Sequence, residues 1–167
     1  FNTDQIVNIG ENDLIISTIP ATNFSKLLDQ NLDLKFRGVR SQYLFFKNNR
    51  ILPENYNWIY CSNKEVEFNR ITEPSTMSNG VSKKGYSFVC VETTFQSDKY
   101  HTLNDGFDEF INWIKNCPQF NSSGYLPELN TVNHERYVYP IQDHKFKSEL
   151  SKYKSLVANF KNLSVLG

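Results

Sequence analysis

The sequence predicts an α+β fold: a mixed, mostly antiparallel sheet with amphipathic helices packed on it. Three features point there. Phenylalanine and tyrosine, 13 and 9 residues, alternate with β-branched residues in several runs, the pattern of half-buried strands. Polar words rich in Asn, Ser and Gly ("KNNR", "CSNK", "SNGVSKKG") separate those runs as turns. Two longer stretches repeat apolar residues at three- and four-residue spacings, as helices with one buried side do.

Taken in order, "DLIISTIP" (residues 13–20) is a continuous apolar run closed by a proline, which predicts a buried strand of a parallel sheet. "ATNFSKLLD" follows, a short helix capped by Thr22 or Asn23 that would bury Phe24, Leu27 and Leu28. Antiparallel strands are expected near residues 34–46, 56–61, 65–72, 85–94 and 132–139. "TLNDGFDEFINWIKNCP" sets Leu103, Phe107, Phe110, Ile111 and Ile114 on one helical face and ends at Pro118. "KFKSELSKYKSLVANF" does the same with Phe146, Leu150, Tyr153, Val157 and Phe160. Both helices are expected to pack one side on the sheet.

With 167 residues the chain suffices for one domain with a hydrophobic core. Its 18 basic and 18 acidic residues cancel and form no basic block, so neither nucleic acid nor an anionic membrane is an expected partner. No apolar run approaches the roughly 20 residues of a membrane helix, and no signal peptide opens the chain, so a cytoplasmic protein is expected. Cys61, Cys90 and Cys117 form neither a CxxC pair nor an even set and are expected as packed, reduced thiols. His101, His134 and His144 lack metal-ligand spacing, so no metal site is expected. The first residue is Phe and the chain ends on "NLSVLG", so both ends are expected to be cuts from a longer polypeptide.

The chemistry-bearing candidates are ionisable groups in apolar strands. If "VEFNRI" is extended from residue 65, Val66, Phe68 and Arg70 share a face, and a guanidinium there requires an anion. In "YSFVCVETTF", Tyr86, Phe88, Cys90 and Glu92 share a face, so Glu92 repeats the pattern with opposite sign. Either a buried Arg70–Glu92 ion pair or a cleft at the strand ends satisfies both. In "HERYVYPI", Tyr137 and Tyr139 share a face and Pro140 stops the strand, which leaves Tyr139 near a strand end, where sites open, or makes both ordinary strand aromatics. "KFRGVRSQY" sets Arg37 and Arg40 on opposite faces. One of them is a candidate for a phosphate or cofactor edge, a solvated arginine being the commoner role. There is no GxGxxG, Walker A loop, GxSxG elbow or HExxH.

In this order, "DLIISTIPATNF", "LKFRGVRSQYLFF", "NWIYCSNKEVEFNRITEP", "YSFVCVETTF" and "YVYPIQDHKFKSELSKYKSLVANFKNLSVLG" resemble the middle and later part of flavin-dependent amine-oxidase-like proteins, and within them the UDP-galactopyranose mutases. The resemblance covers most of the chain. It implies that residues 1–30 are the edge of an α/β flavin-binding unit, 31–145 a substrate-binding domain, and 146–167 a helix and strand returning toward the flavin-binding unit. Arg70 in "FNRITEP" matches the family's "(Y/F)TRI(I/H/T)E" arginine, which in the mutases approaches the sugar-nucleotide diphosphate. Glu92 and Tyr139 match residues near the substrate. The chain departs from the family at Asn69 (Thr), at Val138 (Tyr) and at "PST" after Glu73.

Arg70, Glu92 and Tyr139 are therefore the substrate-binding candidates, and Arg37 and Gly167 the cofactor-binding ones; no catalytic residue is assigned. The resemblance implies FAD in the parent protein, not bound by this fragment, with mutase or oxidase chemistry. The fragment alone should be inert. A small-molecule substrate is expected, a nucleotide sugar for surface polysaccharide if the mutase branch applies, and self-association is expected if the excised domain bares an apolar surface. The competing reading is a noncatalytic α+β binding module in which Arg70 and Glu92 form a structural pair.

Overall fold

The structure, a computed structural model, describes residues 6–47, 50–78, 80–102, 106–117 and 126–166. The chain divides into two compact units, one of residues 1–35 with 140–167 and one of residues 36–139. The fold is α+β.

The larger unit is built on a five-stranded sheet. Its strands are β2 (Phe36–Phe46), β3 (Trp58–Tyr60), β4 (Arg70–Thr72), β5 (Ser87–Gln96) and β6 (Leu129–Pro140), in the order β3-β4-β5-β2-β6. β2 and β5 pair antiparallel over ten residues, from Arg37 opposite Gln96 to Phe46 opposite Ser87. β6 runs antiparallel along β2: the Glu128 N–H donates to the Phe45 carbonyl at 2.7 Å, and Phe36 meets Tyr137 edge-on at 5.4 Å.

Alternation along the strands gives the sheet a sealed face and an open one. Leu44, Phe46, Ile71, Val89 and Val91 point to the sealed face. The helix α2 (Phe107–Asn116) covers it with Phe110, Ile111 and Ile114, the stripe its spacing predicts. Full burial of each such aliphatic side chain stabilises the fold by about 1.5–3 kcal/mol. Phe68 joins this cluster, edge-on to Phe110 and Trp113 at 5.9 and 5.4 Å. The helix starts at Phe107, after Gly106 at φ +69°; Leu103 and Pro118 lie outside the described residues.

Close approach at Gly38 decides how β2, β5 and β6 meet. A Cβ there would lie 2.4 Å from the Phe95 ring and 2.6 Å from the Glu135 carbonyl oxygen. Beside it Arg40 is buried at 1% exposure and donates to Thr93 Oγ1 at 2.8 Å, which corrects the expectation of a solvated arginine. Strand parity puts Arg40 on the core side, and Gly106 leaves room for its guanidinium, which a Cβ would approach to 2.3 Å.

Glu73, just past β4, is fully buried. Its two oxygens accept the N–H groups of Ile51 and Leu52 at 2.9 and 2.7 Å, and Ser87 Oγ also donates to it. Arg50 closes the same connection on the carbonyls of Leu52, Pro53 and Tyr56 at 2.9–3.1 Å. Four of the predicted strands appear near their expected places, whereas the one expected at 65–72 is confined to Arg70–Thr72, because residues 61–69 turn Phe68 into the core.

The smaller unit pairs β1 (Ile15–Ser17) in parallel with β7 (Leu163–Val165) and packs α1 (Ala21–Leu27) on α3 (Phe146–Val157), with Phe24 edge-on to Tyr153 at 6.3 Å. Three expectations change here. β1 is short and exposed rather than buried, with Ile16 at 59%. α1 starts after Pro20 and buries Ala21, Thr22 and Ser25, while Leu27 is exposed, so Thr22 lies inside the helix rather than capping it. α3 packs on α1 through Tyr153 and leaves Phe160 exposed. Lys35 pairs with Asp143 at 3.1 Å and Lys145 with Asp33 at 2.7 Å, while the Asp33 N–H donates to Glu149 Oε2 at 2.9 Å. Hydrogen bonds from Lys145, Lys35 and Lys152 hold the Asp33, Asp143 and Glu149 carboxyls, respectively, below the ordinary carboxylate range.

Among the described residues no helix is long and apolar enough to cross a membrane, and no group of three metal-ligating side chains converges. Cys61, Cys90 and Cys117 are not joined in disulfides.

Two outcomes follow from these contacts. Glu73→Ala should cost about 3–5 kcal/mol in urea denaturation, and Glu73→Gln about 2–3 kcal/mol although isosteric, since an amide NH₂ would face a backbone N–H; losses under about 1 kcal/mol would contradict the role of Glu73. The depressed carboxyls stabilise the fold above the ordinary carboxylate range, and that contribution is lost as pH falls through their lowered values. Lys145→Ala should therefore narrow the difference in Tm between about pH 6 and about pH 3, and an unchanged difference would contradict the network's contribution.

Candidate functional site on the open sheet face

Because Ile71 occupies the sealed side of β4, its neighbours Arg70 and Thr72 stand on the open side. This corrects the placement of Arg70 on the core face. Glu92 is likewise opposite in parity to the buried Val89, Val91 and Thr93, so it belongs to the open face with Phe88 and Cys90.

Register then brings these side chains into rows. One crosses four strands as Tyr60, Arg70, Glu92 and Ser41; the next is Trp58, Thr72, Cys90 and Tyr43. A third holds Phe88 stacked on Phe45 at 5.2 Å. Neighbouring strands lie about 4.8 Å apart and same-face residues along a strand about 7 Å, so the rows form one surface.

Arg70 and Glu92 are direct register partners. The guanidinium donates from Nε to Glu92 Oε2 and from Nη2 to Oε1, the latter at 2.7 Å, a bidentate fork. Hydrogen bonding to Glu92, helped by the Tyr60 phenol and opposed by desolvation, holds Arg70 charged more firmly than a free arginine. The pair is not sealed: the side chains of Arg70 and Glu92 are 36% and 18% exposed. Arg70 forms part of a shallow pocket of about 260 Å³ with Trp58, Tyr60, Thr72 and Met77. Trp58 and Tyr60 are more than half exposed beside it on the edge strand. In the next row, burial and the Glu92 charge push the Cys90 thiol up to about 11, so Cys90 stays protonated and unreactive near neutrality.

The sequence candidates thus separate. Arg70 and Glu92 come together. Tyr139 stands half-exposed near the end of β6, three strands from β4, and does not join them. Arg37 is exposed at the start of β2, with the parity of the open face but four residues from Ser41. Gly167 lies outside the described residues. The sequence reading missed Tyr60 and Trp58, whose i, i+2 spacing on a strand was the available signal, and Ser41, which carried none.

The arrangement sets a permanently charged guanidinium, its Nε and one Nη engaged by Glu92, next to aromatic surface. The two charged groups of the row, Arg70 and Glu92, are engaged with each other.

No protein-family model matches the chain, and no curated protein matches it by sequence. Solved structures do match. One is a reduced UDP-galactopyranose mutase, with 16% identity and a TM-score of 0.64 over 88% of this chain and 34% of that one. Another is an inferred protoporphyrinogen oxidase from Exiguobacterium sp. 255-15, with 12% identity and a TM-score of 0.64 over 92% of this chain and 36% of that one. At these identities the likeness is one of fold, and the chain spans about a third of the length of the solved chains it matches.

A half-exposed pair contributes little to stability. Arg70→Ala and Glu92→Gln should each cost about 1 kcal/mol or less in chemical denaturation; a loss of about 3 kcal/mol or more, typical of a broken buried pair, would mark the pair as structural.

Proposed function

We propose that this chain is a substrate-binding part of a flavoenzyme of the amine-oxidase-like kind, with the open sheet face as its substrate surface and Arg70 as the group that receives an anionic ligand. The observation that carries the reading is the placement of Arg70: a guanidinium held in a fork at the mouth of a pocket rather than inside the core. Two further observations support it. The fold likeness to a reduced UDP-galactopyranose mutase and to an inferred protoporphyrinogen oxidase spans nearly the whole chain. The parallel β1–β7 pair exposes Ile15 and Ile16, with Leu14 and Leu166 exposed just beyond the strands, whereas parallel sheets are normally covered on both faces. Such a pair fits a wider α/β layer supplied by other residues of a flavin-binding unit.

The described residues do not themselves form a flavin cradle. A pyrophosphate needs backbone N–H groups at a glycine-rich strand-to-helix turn. Here the turn from β1 to α1 holds no glycine and is capped by Pro20, which has no N–H to offer. FAD in the parent is therefore assigned to residues outside those described, and Arg37 is the exposed arginine available to a cofactor edge. In this chain Arg70 binds and orients the ligand's anionic group, while Tyr60 and Trp58 flank it.

The mutase branch makes that ligand a nucleotide sugar, whose diphosphate matches a bidentate guanidinium, in a cytoplasmic route to surface polysaccharide. The oxidase branch makes it an amine or other carbon substrate, its carboxylate at Arg70 if it carries one. The bidentate Arg70–Glu92 contact is the observation that favours the second reading, a noncatalytic binding module with a structural pair.

The test is made on the intact protein. Purified full-length protein should carry flavin and bind UDP, and Arg70→Ala should weaken UDP binding about tenfold or more while the fold survives by circular dichroism. A colourless protein that gains no flavin on reconstitution would remove the flavoenzyme reading. Unchanged UDP affinity in a folded Arg70→Ala variant would remove the role of Arg70.

A further inference from the structure

The geometry points to Glu92 as a tethered competitor for Arg70, a residue that sets how strong an anion must be to bind; this rests on the reading of Arg70 as the anion-receiving group. Glu92 already occupies the Nε and one Nη of the guanidinium. An external ligand that uses the same fork must first take it from a carboxylate fixed one strand away.

That carboxylate is positioned to yield. It lies on β5, between Arg70 on β4 and Ser41 on β2, each its direct register partner. On release from Arg70 it lies beside the Ser41 side chain and, at 18% exposure, within reach of solvent. Arg70, the more exposed of the two, opens onto the 260 Å³ pocket from which the ligand arrives.

A tethered group competes at an effective concentration of millimolar or above. Exchanging Glu92 for another lone carboxylate gains nothing in charge or geometry, so monocarboxylates are held off. A ligand prevails only if it brings more charge to the fork or a second anchor, as a phosphate or diphosphate does. Glu92 thereby screens metabolites at a site that would otherwise bind any small anion.

Competition has a signature that simple charge repulsion lacks. Removing a competitor strengthens every ligand by a common factor. Removing a repelling field strengthens each ligand by a factor that rises with its charge, and salt suppresses that factor. The experiment titrates acetate, phosphate and pyrophosphate into the intact protein and its Glu92→Gln and Glu92→Asp variants in about 0.5 M salt, followed by the fluorescence of Trp58, with Arg70→Ala as control. Glu92→Gln should tighten all three ligands by a similar factor, about fivefold. Glu92→Asp, too short to hold the fork from β5, should fall between.

If the wild type binds pyrophosphate, Arg70→Ala abolishes that binding and Glu92→Gln leaves affinities within twofold, the competitor role fails while the anion site stands. A gain that climbs steeply from acetate to pyrophosphate also overturns it in favour of a field effect. Absence of binding in both the wild type and Glu92→Gln overturns the anion site and this inference together. Thermal melts confirm that each variant is folded before its affinity is read.

Discussion

The side of the sheet on which Ile71 is buried decides everything that follows. A strand has two faces, and a three-residue strand with one fully buried side chain at its centre leaves its neighbours no choice. With Ile71 in the cluster sealed by α2, Arg70 is delivered to the open face, and the β4–β5 register delivers Glu92 to meet it. The pair forms because the core is where it is, and its half-exposed state is inherited from the same parity.

That origin separates the pair from the buried ionisable groups of the same unit. Glu73 is enclosed and satisfied by backbone N–H groups and a serine, so it serves to tie the β2–β3 connection to the end of β4. Arg40 is enclosed beside Gly106 and bonded to Thr93, which fastens the sheet near the start of α2. Arg70 differs in facing a pocket and solvent, where a guanidinium can change partners without exposing a core.

Much of this was legible in the sequence. The stripe Phe107, Phe110, Ile111, Ile114 predicted α2, and the alternation in "FRGVRSQYLFF" and "SFVCVETTF" predicted the two longest paired strands. The opposite charges of Arg70 and Glu92 on strands expected to be neighbours made their meeting one of two readings, beside a cleft at the strand ends. Arg70's face was misjudged because alternation was counted from residue 65, whereas Phe68 reaches the core from an irregular segment and the parity restarts at Arg70; Glu92's was misjudged because Phe88 and Cys90 read as core, whereas β5 gives Val89 and Val91 to the core. Glu73 was not legible, since a glutamate before a proline at a strand end reads as solvated until the turn it anchors is known. Arg40 looked like any strand arginine because nothing local reports that Gly106, distant in sequence, clears the space it fills. The run "DLIISTIP" predicted burial from composition, but composition does not say which partner covers a strand, and among the described residues β1 pairs with the short β7.

In the proposed exchange, the guanidinium of Arg70 gives up the Glu92 carboxylate for an external anion. The most direct measurement is the ¹H–¹⁵N resonance of Arg70 Nε, assigned by its loss in Arg70→Lys, recorded with and without UDP. A distinct Nε position is expected in the free protein, set by Glu92, which shifts on adding UDP and stays in place on adding uridine. A resonance that UDP leaves unmoved, in a protein that binds UDP elsewhere, would contradict it.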